Sequence, residues 1–199
     1  MTTARAGARA GARATYRPLR ADARRNRARV LDAAEAVFTA KGVSASTEEI
    51  ARAAGVGVGT VFRHFPTKKD LLTAIMQARL ERVFARAGAL AADGDPATAF
   101  FTFFTWMLEQ SAAKKTVMEV AGEQGIALPK PMEEFRRAVD ALLTGARRAG
   151  TVRADAALPE VMALLIGTCQ AAMRGGWDER LREATLTIIF DGLRPAGSR

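Results

Sequence analysis

Thr60, Arg63 and His64 stand at i, i+3 and i+4, and Lys68 and Lys69 follow after a break at Phe65 and Pro66. On a helix that spacing places three hydrogen-bonding side chains on one surface. A guanidinium can bond both acceptors of a guanine edge, and a threonine can meet a thymine methyl or a phosphate. An imidazole or an ammonium suits the phosphate backbone. The chemistry on offer is recognition rather than bond making. Cys169 and His64 are the one thiol and the one imidazole of the chain, far apart in sequence, and they form no nucleophile and base pair. The serines lack an elbow motif. No catalytic residue, no metal site and no cofactor is expected, since zinc has almost nothing to build on here. A single cysteine rules out an internal disulfide and points to a reducing cytoplasm.

Those side chains need a helix to carry them, and the stretch around them supplies two. It reads S-T-E-E-I-A-R-A-A-G-V-G-V-G-T-V-F-R-H-F-P-T-K-K from Ser46 to Lys69. Ser46 with Glu49 three residues on makes a capping box, which predicts a helix over about Thr47 to Ala54. Gly55 supplies the left-handed residue that ends it. A second helix is predicted from about Val58 to His64. At about 100° per residue, Val58, Val61 and Phe65 share one side while Gly59, Thr60 and Arg63 share the other. Phe62 and His64 fall on the flanks. Two short helices at a steep angle, the second with a polar outer face, form a helix-turn-helix whose second helix enters the major groove of DNA.

At this point the sequence resembles a known family. G-V-G-V-G-T-V-F-R-H-F-P-T-K-K-D-L-L, preceded by S-T-E-E-I-A and by V-L-D-A-A-E-A-V-F-T-A-K-G, is similar to the N-terminal domain of the TetR family of bacterial transcriptional repressors. The likeness is specific over about Arg24 to Leu72 and fades beyond. It implies an all-α homodimer that binds a palindromic operator in a bacterial cytoplasm and lets go when a small molecule occupies the C-terminal domain. It assigns base reading to Val58, Gly59, Thr60 and Arg63, and phosphate contact to Ser46, Phe62, His64 and Lys68. Two departures stand out. Gly57 occupies a position where the family often has a Ser or Thr cap, and Phe62 replaces the commoner Tyr, which removes a hydroxyl.

Charge is placed to match. Of a formal net +9, residues 1–29 carry +8, from nine arginines against the single acid Asp22. A basic segment beside a helix-turn-helix is an electrostatic footprint for nucleic acid. Residues 1–21 are low-complexity Ala, Arg and Gly and are expected to be a disordered basic arm. That arm is either a solubilising tail or a segment that tracks phosphates or the minor groove. Its composition also has the look of an organellar transit peptide, against which the bacterial motif speaks. No stretch is long and apolar enough to span a membrane.

The expected organisation is therefore a disordered arm (1–21), a three-helix DNA-binding head (22–68), and a helical ligand-binding and dimerisation body (69–199). In the head, Val30, Leu31, Ala34, Val37 and Phe38 predict an amphipathic helix over about Asp22 to Ala40. Thr67 caps a long helix reaching about Ala91, a strut from head to body. Lys68 and Lys69 fall in its first turn, where the helix dipole disfavours cations; either a phosphate relieves this or both are simply solvated. Asp95 as cap and Pro96 as first helical residue predict the next helix. Further helices are expected near Thr116 to Glu123, from Pro131 to Arg148, from Leu158 to Met173 and from Glu179 to Leu193. The last two are strongly apolar and are expected to form the dimer contact, or else to complete one monomer's core. Phe100, Phe104, Trp106, Met107, Met118, Phe135, Met162 and Met173 are the candidates for a ligand-pocket wall suited to a bulky, mostly apolar molecule. Core packing is the competing role for the same stripes, and Glu119, Glu123, Arg136 or Gln170 are candidate polar anchors. The rival to a specific regulator is a non-specific or architectural DNA-binding protein driven by the arm.

Overall fold

The computed structural model describes residues 11–112, 117, 120–122 and 132–196. All the regular elements among them are helices. They fall into two compact units that divide between Ile75 and Met76.

The first unit is built from α1 (Gly11–Lys41), a 3-10 turn (Gly42–Ser44), α2 (Thr47–Ala54), α3 (Val58–His64) and the opening turns of α4 (Lys68–Asp93). The apolar periodicity of α1 reaches the core through Val30, Leu31, Ala34 and Phe38, all buried. The helix nevertheless begins at Gly11, well ahead of the start near Asp22 that this pattern predicts. Periodicity reports only the packed part of a helix, whereas alanine and arginine are strong helix formers whether or not they pack. Residues 11–21 are thus helical rather than the coil expected of the arm, and residues 1–10 lie outside the described part. Ile50, Ala51 and Ala54 from α2 and Val61 and Phe65 from and after α3 join this buried set, with Leu71, Leu72 and Ile75 of α4 also buried. Thr67 and Asp70 cap α4 reciprocally: Asp70 N donates to Thr67 Oγ1 at 3.1 Å and Thr67 N to Asp70 Oδ2 at 3.1 Å.

The second unit holds the rest of α4, then α5 (Ala99–Ala112), α6 (Met132–Arg148), α7 (Leu158–Gly175) and α8 (Glu179–Leu193). Between α5 and α6, Val117, Val120, Ala121 and Gly122 are helical, in the segment where a helix is expected. Pro96 does not open α5. Asp95 instead organises a turn, its carboxylate accepting from Ala97 N at 3.0 Å and its carbonyl from Ala99 N at 2.8 Å, and the helix starts at Ala99. The core of this unit centres on Phe100, Phe103, Phe104 and Leu108 of α5, packed with Val139, Leu142 and Leu143 of α6 and Val161, Met162 and Leu165 of α7. Arg147 of α6 donates to the carbonyl of Ala156, and Arg153 N donates to Leu193 O at 2.8 Å, so the connection between α6 and α7 is tied to the C-terminal ends of α6 and α8. Asp178 starts α8 by accepting from Leu181 N at 2.8 Å. Among the described residues no helix is long and apolar enough to cross a membrane.

Candidate nucleic-acid interface and the clefts of the body

The interface rests on α2. Ser46 Oγ accepts from Glu49 N at 3.2 Å, and Glu49 Oε2 accepts from Ser46 N at 3.2 Å, the reciprocal box read from the sequence. Lys41 Nζ also donates to Glu49. That bond, then the Ser46 amide, holds the Glu49 carboxyl below its ordinary value. The far end of α2 stops at Gly55, whose φ of 65° and ψ of 38° place it in the left-handed region. Val56 N then donates back to Ala51 O at 3.0 Å, which closes the turn.

A long-range clamp fixes that turn from outside. Arg29 of α1 sends Nη2 to Ala54 O at 2.7 Å and to Gly55 O at 3.1 Å, with Nε 3.3 Å from Ala54 O. These carbonyls end α2 and have no partner further along the helix, so a guanidinium satisfies them and also suits the negative end of the dipole. Next to it, the Arg27 guanidinium lies 5.4 Å from the centre of the Phe65 ring, over the residue that ends α3. Sequence periodicity misses both arginines, because it follows apolar residues. The available signal was an arginine on the flank of α1 beside an expected α2 terminus.

From Gly57, α3 runs with no side-chain cap. Thr60 N donates to Gly57 O at 2.8 Å, and Phe65 N to Val61 O at 2.8 Å. Val61 is fully buried and is the residue by which this short helix is seated. Gly59, Phe62 and Arg63 are exposed, while Val58, Thr60 and His64 are half-buried. Val58, expected on the inner side, is thus on the margin, because it sits in the first turn where the helix leaves the core. Phe62, expected on a flank, is 48% exposed and is a large apolar side chain presented outward beside Arg63. A Cβ at Gly57 or Gly59 would meet nothing within 4 Å.

Ser46 spends an oxygen lone pair on the capping box and keeps its hydroxyl proton for another acceptor. Lys68 is engaged inside the head. Its Nζ donates to Val43 O, lies 3.4 Å from Ala45 O, and stands 5.3 Å from the Phe38 ring centre. It ties the 3-10 turn to the start of α4, which answers the dipole problem at that position without a phosphate. Lys69 is exposed. The structure therefore brings Gly59, Thr60, Phe62, Arg63 and His64 onto one outer surface, with Ser46 at the start of α2 and Lys68 turned inward.

In the body, Phe100, Phe104 and Met162 are buried in the core, and Met107 and Phe135 pack partly buried against it. Met173 is half-buried, and Met118 lies outside the described residues, as do Glu119 and Glu123. Of the expected pocket wall, Trp106 lines a cleft, a cavity of about 460 Å³ floored by Phe101 and Phe190 and flanked by Arg86 and Arg194. Phe101 and Phe190 escape the sequence reading since one continues α5 on its less buried side and the other arrives from the far end of the chain. Among the described residues, no three His, Cys, Asp or Glu side chains gather as a metal set.

Known proteins share both units. The family model for bacterial regulatory proteins of the tetR family matches residues 30–75, and that for the C-terminal domain of SbtR-like transcriptional regulators matches residues 95–195. The crystal structure of a TetR transcription regulatory protein from Mycobacterium vanbaalenii is 40% identical, with a TM-score of 0.76 over 89% of this chain and 100% of that one. A TetR transcriptional regulator from Streptomyces coelicolor is 30% identical, with a TM-score of 0.72 over 86% of this chain and 99% of that one. The HTH-type transcriptional regulator SrpR of Pseudomonas putida is 47% identical over 60 residues, a match spanning 30% of this chain and 28% of the relative's length.

Proposed function

The chain belongs to the TetR family of bacterial transcriptional regulators and is a DNA-binding regulator, and from that premise we propose a homodimeric cytoplasmic repressor, released from a palindromic operator by a small molecule. The observation that carries this reading is the outer surface of α3. Its polar and aromatic side chains face away from the core while the turn before it is fixed by Gly55 and by Arg29. Arg63 and Thr60 are the base readers in this reading, with Gly59 allowing close approach and Val58 at the margin. Ser46, His64 and the rim of Phe62 serve the phosphate and sugar backbone. Lys68 acts chiefly by holding the head together.

The two-fold contact is assigned to α7 and α8, which leave Leu164, Leu181 and Ile188 exposed at 40%, 46% and 74%. Large apolar side chains in such number on two consecutive helices favour a partner surface, and a self-complementary one is the commonest.

Fluorescence anisotropy on DNA from upstream of the protein's own gene, against a scrambled duplex of equal length at equal salt, tests the reading. Tight binding to the first and at least about hundredfold weaker binding to the second is expected. Equal affinities for both would replace the repressor by a non-specific binder driven by the basic N-terminal segment.

A further inference from the structure

The cleft on α5 is not a gap in the packing but a surface of mixed chemistry. Its floor is aromatic: the rings of Phe101 and Phe190 meet edge to face, 4.8 Å between centres and 67° between planes, and Phe104 backs Phe190 at 5.6 Å. Phe101 and Phe190 are both left half-buried, although the core of the same unit lies directly beneath them. Such rings give an apolar, edge-lined bed for a flat or chain-like body.

Above the floor the charge is arranged by position. The Arg194 guanidinium stands 5.8 Å from the Phe101 ring centre and is held there by Asp191, which accepts from Nη1 at 2.7 Å. That bond uses one edge of the guanidinium, and the remaining donors of the fork stay open. Arg86 reaches the same cleft from α4 and makes no ion pair among the described residues. The one carboxylate in the lining, Glu109, belongs to the opposite end, eight residues along α5 from Phe101, or roughly 12 Å at 1.5 Å per residue. Thr102 and Thr105 line the stretch between them. The volume falls in the range of small-molecule sites.

We propose that this cleft binds an amphipathic organic carboxylate, its apolar body on Phe101, Phe190 and Trp106 and its carboxylate on the open donors of Arg194, with Arg86 adding positive charge to the same lining. The ligand class follows from the arginine fork, which matches a carboxylate in geometry as well as in charge. A neutral apolar molecule would leave the open donors of Arg194 without a new partner. The proposal rests on the effector reading above for its regulatory meaning and on the cleft alone for its chemistry.

The test uses the full-length protein and two probes of one shape, 1-naphthoate and its neutral amide 1-naphthamide, titrated by calorimetry. Saturable binding of naphthoate, at least about tenfold tighter than the amide, is expected. Arg194→Gln should remove that difference by weakening the acid while sparing the amide, and Arg86→Gln should do so in part. Unchanged unfolding temperatures of both variants show that the loss is local. Equal binding of acid and amide, naphthoate binding untouched by Arg194→Gln, or no saturable binding of naphthoate would each overturn the proposal. Operator DNA is followed in a separate titration. Naphthoate that binds the cleft without altering operator affinity leaves the site standing and removes the effector role.

Discussion

Arg29 Nη2 lies 2.7 Å from the carbonyl oxygen of Ala54, so the residue that terminates α2 is held by a side chain twenty-five positions earlier in the chain. The turn between the two helices is therefore set by α1 as much as by Gly55, and the angle at which α3 is presented depends on it. Arg29→Ala leaves two carbonyls at the α2 terminus without their guanidinium. A loss of about 1 to 3 kcal/mol in stability is expected, read from urea unfolding. Operator affinity should fall with it, and Arg29→Lys should recover part of both. Wild-type stability in the alanine variant would show that water replaces the guanidinium at no cost.

Gly59 sits inside a helix with an ordinary negative φ, and a methyl group added there would meet nothing within 4 Å. The protein's own interior gives no reason for glycine at this position. Gly59→Ala should raise stability by about 1 kcal/mol, since alanine is the better helix former. The same change should weaken operator binding, because the methyl group stands where a duplex would approach. Opposite signs in the two measurements are the expected outcome; a variant that is both more stable and equally tight would show that the duplex keeps its distance at this residue.

Arg63 and Lys69 are both exposed cations, and DNA should tell them apart. Arg63→Ala is expected to cost about 1 to 3 kcal/mol on the operator and to relax base preference at one position. Lys69→Ala should weaken every sequence alike and lower the salt slope by about one. Lys68→Ala, by contrast, should appear first in the unfolding temperature, given its bonds to Val43 and Ala45.

Acid should act through Glu49. Its carboxyl is held below its ordinary value of 4.5 by Lys41 and by the Ser46 amide. A carboxylate with a depressed folded-state value contributes stability above its unfolded value and loses it as pH falls through the folded one. The stability advantage of the wild type over Glu49→Gln should thus be full near neutrality and shrink below pH 4.5. Measured unfolding midpoints that differ by the same amount at every pH would remove the ionised capping box from the account.

Ile188 is 74% exposed on α8. Ile188→Glu should convert the proposed dimer to single chains in analytical ultracentrifugation and leave the helical circular dichroism intact. A dimer that persists would move the two-fold contact to another face.

Much of the head was legible because its signals are local. Ser46, Glu49 and Gly55 fix the two ends of α2 within ten residues, and the phase of Val61 and Phe65 follows from the helical period. The long-range parts were not. Arg29 and Lys68 are polar side chains reaching carbonyls brought near only by folding, and neither belongs to the apolar period from which the helices are read. In the body, α5 carries aromatic residues on more than one side, so its sequence alone does not say which ring faces the core and which a cleft. Phe100 and Phe104 took the core, and Phe101 took the cleft, because Phe190 and Arg194 arrive beside it from the end of α8. Asp followed by Pro predicts a helix opening at Pro96, whereas Asp95 commits the chain to a turn that delays the helix to Ala99.

One further consequence comes from how little of α3 is buried. Val61 is its single buried residue, and the clamp on the turn before it is supplied by α1. Side chains at Gly59, Thr60, Phe62 and Arg63 can therefore be exchanged with small effect on whether the head folds. A new operator sequence is reachable through surface substitutions that leave the scaffold standing, so divergence of target among close copies of this gene meets few obstacles from stability.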